Sequence, residues 1–312
     1  MTTQWTFDNI PGRQGKRIII TGANSGIGYQ AARALAGKGE SIILAVRDTR
    51  KGEAAATEIR SAWSQAAVEV MALDLADLAS VRRFAETFRG RYATLDVLVN
   101  NAGVMAIPYR KTADGFEMQF GTNHLGHFAL TGLLMPALLA APAARVVTVS
   151  SYMESFGHIA FDDLNRLRHY NRWGAYSQSK LANLLFAYEL QRRFTSAGVH
   201  AISVACHPGY AATNLQSAGP KMEGSRIGHL FWQGMNLFAQ DAAMGALPLL
   251  YAAVAPVHGG DYIGPRGLYG TRGAPHKARS SGRSHDEAAA RRLWEVSAEL
   301  TGMKDWALSV SS

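Results

Sequence analysis

Cysteine is almost missing from this chain. Cys206 is the single one in 312 residues, which excludes an intrachain disulfide and any cysteine-rich metal site and suits a reducing compartment. Long apolar runs are missing as well. The most apolar stretch, Leu125 to Ala141, carries His127 and Pro136 and falls short of the ~20 residues a membrane span needs. It reads as a buried helix. The start, Met1-Thr-Thr-Gln-Trp-Thr-Phe-Asp, has neither a basic beginning nor an apolar core, so no signal peptide is read there and the expected location is the cytoplasm. Charge is sparse, at 18% of residues against 47% hydrophobic, the balance of a globular protein with a generous core. The net charge of +8 comes from scattered basic residues, with a loose cluster only over Arg266–Arg283. That distribution favours solubility and a phosphate-bearing ligand over nucleic acid. His124, His127 and His207 stand at no metal-ligand spacing with cysteines or carboxylates, so no metal is expected and they read as core or hydrogen-bonded histidines.

What is present is an alternation of short apolar runs with helical patterns, the signature of βαβ units. Strands are expected at Arg17–Thr21, Ser41–Val46, Val68–Leu73, Asp96–Asn100, Arg145–Ser150 and Val199–Ala205, with a possible last one at Asp261–Gly264. Helices are expected at Ile27–Gly37, Lys51–Ser64, Ser80–Phe88, Leu125–Ala141, Ala175–Phe194, Ala242–Ala255 and Asp286–Leu300. Strands that are apolar on both faces must be covered on both sides. The fold class is therefore α/β, a doubly wound Rossmann fold whose mostly parallel sheet has about seven strands. No repeat, low-complexity tract or linker divides residues 1–312, which read as a single domain. A segment at about 214–240, with Ile227, Leu230, Phe231, Leu237 and Phe238 on one apolar face, reads as a substrate lid. Residues 265–312 form a C-terminal extension, beginning with a surface loop over Gly264–Arg283.

Ligands of open α/β sheets bind beyond the carboxyl ends of the strands. The turn Thr21-Gly-Ala-Asn-Ser-Gly-Ile-Gly28, Asn100, Ser151 and Cys206-His-Pro-Gly209 all fall at such ends and are expected to face one crevice. Between a strand and a helix, Gly22, Asn24, Ser25, Gly26, Ile27 and Gly28 offer backbone amides to the phosphates of a dinucleotide. The spacing is Gly22-x-x-x-Gly26-x-Gly28 rather than the general Gly-x-Gly-x-x-Gly. Strand two ends in Val46-Arg47-Asp48, and an arginine there accommodates the 2′-phosphate of NADP where an acidic residue would hold the ribose hydroxyl of NAD. NADP is the expected cofactor, with NAD second because Asp48 follows directly. Asp74 and Leu75 end strand three and are candidate adenine contacts, although the aspartate could equally cap the next helix. Asn101, Ala102 and Gly103 let the backbone approach the cofactor.

Downstream, Tyr176 and Lys180 lie one helical turn apart in Tyr-Ser-Gln-Ser-Lys. That spacing alone is weak in a chain with 11 tyrosines. Behind the glycine turn, Asn100-Asn-Ala-Gly103, Asn123 and Ser150-Ser151, it reads as the acid/base apparatus of a nicotinamide-dependent oxidoreductase. In this order the motifs resemble the short-chain dehydrogenase/reductase family, over about Lys16 to Asp261. Within it the chain is similar to the retinol dehydrogenase-like branch, on Gly22-Ala-Asn-Ser-Gly-Ile-Gly28, Val46-Arg-Asp48, Asn100-Asn-Ala-Gly-Val104, Thr122-Asn-His-Leu-Gly-His127, the 25-residue gap from Ser151 to Tyr176, Leu181-Ala-Asn183 and His207-Pro-Gly209.

The resemblance implies that Tyr176 gives or takes the proton at the substrate oxygen, and that Lys180 lowers the phenol pKa and holds the nicotinamide ribose. It implies that Ser151, rather than its neighbour Ser150, binds the substrate oxygen, and that Asn123 holds a water linking Lys180 to solvent. Pro208, Gly209 and Thr213 are implied at the nicotinamide or pyrophosphate. The expected reaction interconverts an alcohol and a carbonyl on an apolar, bulky substrate, with Met105, Tyr152, His158, Trp173, Tyr210, Phe231 and Trp232 as candidate walls. Two alternatives stay open: a carbon–carbon double-bond reductase like the protochlorophyllide reductases, and a non-catalytic NADP-binding regulatory protein. Family members often pair through the helices at Leu125–Ala141 and Ala175–Phe194, so a homo-oligomer is possible; apolar faces there are equally needed for the core.

Overall fold

Strand and helix alternate in the computed structural model, which describes residues 5–12, 15–209, 241–267, 270–304, 306 and 308. Strands β1 (Arg17–Thr21), β2 (Ser41–Val46), β3 (Val68–Ala72), β4 (Val97–Asn100), β5 (Arg145–Val149), β6 (Ile202–Cys206) and β7 (Tyr262–Pro265) lie parallel in the order β3-β2-β1-β4-β5-β6-β7. β8 (Pro275–Lys277) joins β7 antiparallel at the edge. Helices α1 (Gly26–Ala36), α2 (Thr49–Ala62), α3 (Leu78–Arg91), α4 (Met118–Phe120), α5 (Gly126–Leu139), α6 (Arg172–Ser196), α7 (Ala242–Val254) and α8 (Glu287–Thr301) complete the chain. The strand order reverses between β1 and β4, and the crevice of a doubly wound sheet opens at such a point.

Alternation along each strand feeds both layers. Ile18, Ile20, Leu44, Val99 and Val147 pack with Leu35 of α1, Ile59 of α2 and Leu249 of α7. Ile19, Leu98 and Val146 pack on the other face with Phe84 of α3, Phe128 of α5, Phe186 of α6 and Trp294 of α8. The expected α/β doubly wound sheet is therefore present, with eight strands instead of about seven.

The extra strand lies in the stretch expected as a surface loop. Ile263 pairs with Lys277 and Gly264 with His276, and Lys277 Nζ reaches Asp261 Oδ1 at 2.6 Å. Three residues including a proline carry no period-2 signal, and an edge is where a strand tolerates proline. Only the tertiary partner makes this segment a strand.

The outer faces of α5 and α6 are covered by the chain's own C-terminal elements. Phe128 meets Trp294 at 5.1 Å and Trp306 at 4.7 Å between ring centroids, and Phe186 stacks on Trp294 at 5.9 Å. No helix among the described residues is long and apolar enough to cross a membrane.

Candidate active site

The crevice is built first from the end of β1. The Thr21 hydroxyl accepts the N–H groups of Asn101 and Ala102, each at 2.9 Å, and the Thr21 carbonyl accepts Asn101 Nδ2 at 2.7 Å. These bonds pull the loop after β4 onto the glycine turn. A Cβ on Gly22 would stand 2.9 Å from the Ala102 Cβ, so only glycine permits the approach; its φ of 68° and that of Gly26 at 59° are also left-handed. Ser25 caps α1 without a side-chain capping bond, so the amides at the helix start face the crevice. Asn101 Oδ1 is buried without a partner among the described residues. Open amides and small residues fit the pyrophosphate of a dinucleotide, and the orphaned acceptor fits a hydroxyl donor of the same ligand.

At the end of β2, Asp48 is engaged: its carboxylate caps α2, accepting Lys51 N at 3.2 Å, while Arg47 is exposed. Asp74 forms a local turn, its Oδ1 accepting Ala76 N at 2.9 Å, and Asp77 rather than Asp74 caps α3. Leu75 is buried, and a Cβ on Gly126 would strike its carbonyl.

Asn123 sits in a π-helical turn, Gly121–Leu125, that interrupts the run from α4 into α5. Such turns recur at functional sites. Every polar atom of its side chain is used inside the protein. Oδ1 accepts Val104 N at 2.8 Å, and Nδ2 donates to Val104 O and Ser179 Oγ, both at 2.9 Å. The Asn123 carbonyl accepts from His127 Nδ1 at 3.0 Å when the ring carries its proton there.

The two serines divide as strand alternation requires. Ser150 Oγ donates to the carbonyl of Lys180 at 2.8 Å and is buried, fixing α6 to β5. Ser151 stands at the head of the 3₁₀ turn Tyr152–Phe156; its hydroxyl accepts Met153 N at 3.2 Å and lies near the Tyr176 phenol. Lys180 Nζ donates to Val149 O at 3.1 Å and lies 5.7 Å from the Tyr176 ring centre. A Cβ on Gly103 would press on Asn123 Oδ1 at 3.0 Å and touch that nitrogen at 3.8 Å, so the loop after β4 packs directly against both groups.

Burial acts against both ionised forms. It pushes the Tyr176 phenol up to about 12, with the nearby Ser151 hydroxyl pulling the other way, and it brings Lys180 down to about 8. In the protein without cofactor the phenol therefore stands above its ordinary range because desolvation dominates; the lowering expected from Lys180 together with a bound oxidised nicotinamide concerns the loaded site. Cys206 is likewise raised, to about 12, so it stands as a neutral buried thiol.

Met105 precedes Ala106, whose φ is 49°. That strained residue is held by Gln119, which accepts Ala106 N at 2.7 Å and donates to Tyr170 Oη at 3.0 Å and Arg172 O at 2.9 Å. Glu117 joins this buried group and accepts from Gln119 N and Phe120 N. Neither Gln119 nor Glu117 was marked by any sequence spacing, yet they set where the Met105 loop meets the start of α6. Trp173 stands edge-on to Tyr176 at 6.4 Å, whereas Tyr152 is exposed beside Phe156 and His158 is exposed on the following turn. Gly209 has a φ of 68°, and its N–H meets His207 Nδ1 at 3.3 Å. A Cβ there would strike the carbonyl of Thr271. Pro208 lies beside it, half-buried at the end of β6. Tyr210, Thr213, Phe231, Trp232 and the segment 214–240 lie outside the described residues.

The short chain dehydrogenase profile matches residues 16–224. The chain is a short-chain dehydrogenase. This dehydrogenase is 44% identical to human retinol dehydrogenase 13 over 295 residues, covering 93% of this chain and 86% of that one. Human retinol dehydrogenase 12 is 43% identical, covering 93% and 87%. A crystal structure of a protein from Mycobacterium paratuberculosis is 46% identical with a TM-score of 0.80, covering 96% of this dehydrogenase and 98% of that chain. A short chain dehydrogenase from Shigella flexneri 2a, complexed with NADP, shares the fold at a TM-score of 0.63 and 23% identity, covering 81% and 98%. The dehydrogenase is an NAD(P)-dependent oxidoreductase acting on CH–OH groups, of the retinol dehydrogenase-like branch.

Proposed function

We propose that this dehydrogenase uses NADP(H) to interconvert an alcohol and a carbonyl on an apolar, bulky substrate, with Tyr176 as general acid and base. The observation that carries the reading is the convergence of Ser151, the Tyr176 phenol and Lys180, whose Nζ lies 5.7 Å from the Tyr176 ring centre, at the end of β5 beside the glycine turn. Gly22, Ser25 and Gly26 with the amides of α1 would hold the pyrophosphate, Arg47 the 2′-phosphate and Lys180 the nicotinamide ribose. Bound NADPH supplies the hydride.

The chain's own part is proton handling. Ser151 donates toward the substrate oxygen, fixing it within reach of Tyr176 Oη and stabilising the charge that develops on it. Tyr176, protonated at neutral pH, delivers its phenolic proton to that oxygen, and Lys180 offers the nearest charge to the phenolate left behind. A phenol held near 12 carries its proton at neutral pH but releases it less readily than an ordinary phenol, so the Lys180 charge beside it has to stabilise the phenolate during turnover. The NADP preference is supported by Asp48 being committed to the α2 cap while Arg47 stays exposed. The apolar substrate is supported by the names of the retinol dehydrogenases at 43–44% identity and by Trp173 beside Tyr176.

The test is NADPH consumption across a panel of carbonyl compounds, with NADH as comparator. Long-chain and ring-bearing aldehydes and ketones are expected to turn over faster than acetaldehyde by orders of magnitude. Tyr176→Phe is expected to cut turnover by about 10³-fold while NADPH affinity changes by less than about threefold. Equal rates on large and small carbonyls would remove the bulky-substrate reading. Undiminished turnover in Tyr176→Phe would remove the phenol from the mechanism.

A further inference from the structure

We propose that His127 is a positioning residue: a neutral strut, with its proton on Nδ1, that locks the cofactor cradle to the turn carrying Asn123. The inference rests on the reading of the crevice as a dinucleotide site and names a residue that this reading does not use.

His127 is buried on α5, with Nε2 2.9 Å from Thr21 Oγ1 and Nδ1 3.0 Å from the Asn123 carbonyl. The hydrogen bonds around Thr21 fix which nitrogen holds the proton. Both lone pairs of the Thr21 hydroxyl are taken by the N–H groups of Asn101 and Ala102. Its own proton must therefore go outward, either to His127 Nε2 at 2.9 Å or to Val99 O at 3.3 Å. The imidazole is the nearer acceptor, and an accepting Nε2 requires the proton on Nδ1. That N–H then meets a carbonyl, which can only accept. Every donor and acceptor is matched in one direction. Burial also holds the ring neutral, lowering it to about 4.

The strut has a functional address at each end. At one end Thr21 holds the backbone of Asn101 and Ala102 against the glycine turn. At the other, the Asn123 side chain donates to Ser179 Oγ at 2.9 Å, and Ser179 Oγ donates to the Tyr176 carbonyl at 2.7 Å. A continuous line of hydrogen bonds thus runs from the cofactor cradle to the backbone of the proton donor. A histidine kept only for packing would need neither end to be polar.

Two variants separate the ends, because an asparagine amide overlays Nδ1 and a glutamine amide reaches the place of Nε2. His127→Asn keeps the Asn123 bond and drops Thr21; His127→Gln does the reverse. His127→Asn is expected to weaken NADPH binding, read by fluorescence, about tenfold with a smaller change in kcat. His127→Gln is expected to lower kcat about tenfold with a smaller change in NADPH affinity. Equal losses in both parameters from both variants, or no loss from either, would overturn the proposal. Independently of folding in the variants, long-range ¹H–¹⁵N spectra of the wild-type histidines at pH 6 to 8 should show His127 neutral and protonated on Nδ1. An Nε2–H or doubly protonated ring would overturn it. Wild-type protein that fails to bind NADPH would instead sink the dinucleotide reading, and the spectra would still decide the strut.

Discussion

Lys180 Nζ shares its acceptor with Asn183: both donate to the carbonyl of Val149 at 3.1 Å. Removing the amine would therefore leave that carbonyl satisfied, while the charge itself is held in the interior at a cost. Lys180→Met, of similar length, is expected to abolish most turnover yet stabilise the cofactor-free protein by about 1–3 kcal/mol at pH 7. The sign follows from the lowered pKa. Between about 8 and the ordinary 10.5 the unfolded chain binds more protons than the folded one, so wild-type stability rises with pH there. The advantage of the variant is full below pH 8 and fades toward 10.5. Urea midpoints at pH 7 and pH 10 check both parts, and a variant less stable than wild type at pH 7 would show that the amine is a net structural asset.

Arg47 and Asp48 are adjacent and have opposite occupations, one exposed and one capping a helix. Arg47→Ala is expected to weaken NADPH binding by about ten- to a hundredfold, the worth of a charge-assisted bond, and to leave NADH nearly unchanged. Titration with both nucleotides measures the ratio. Equal weakening of the two would place Arg47 away from the 2′-phosphate.

The positions of the strands, the glycine turn and the Tyr176/Lys180 pair were legible because each is carried by local pattern: period, turn chemistry, spacing within one helix. The division between Ser150 and Ser151 was legible for the same reason, since alternation sends one hydroxyl inward to the Lys180 carbonyl. What sequence could not show were partners brought together from afar. Gln119 reaches Ala106, Tyr170 and Arg172 across three separate segments, and β8 exists only through β7. Spacing places an amine near the Tyr176 phenol but does not say how dry the site is without cofactor, and it is that dryness that raises the phenol in the protein alone. Thr21 was the one available hint of the cradle's bonding, a hydroxyl ending an otherwise apolar strand.

His124, His127 and His207 are buried and neutral, lowered by desolvation to about 3, 4 and 4. Unfolding restores each to about 6.5, so between roughly 6.5 and 4 the unfolded chain binds more protons and stability falls as the pH falls. Each proton contributes up to about 1.4 kcal/mol per pH unit. Glu117, raised by burial, works in the opposite sense at the acid end. The expected outcome is a steep drop in the urea midpoint between pH 6.5 and 4.5. His207→Asn should make that slope shallower by close to one proton, and an unchanged slope would mean that the ring titrates freely in the folded state.

The C-terminal helix bears on association. Trp294 and Trp306 lie on Phe128 and Phe186, Arg193 stacks over the Trp294 ring at 4.2 Å, and His124 Nε2 meets Ser297 Oγ at 2.9 Å. A second chain pairing through α5 and α6 would have to displace these contacts, and emptying one buried tryptophan costs about 3–5 kcal/mol by itself. The protein is therefore expected to scatter light as a monomer of 33.7 kDa at micromolar concentration. Trp294→Ala should uncover the Phe128 and Phe186 rings, lower the melting temperature and promote concentration-dependent association. A stable wild-type dimer whose amide exchange is protected along α5 and α6, and released along α8, would show that the C-terminal helix moves aside and that the covered face is an interface after all.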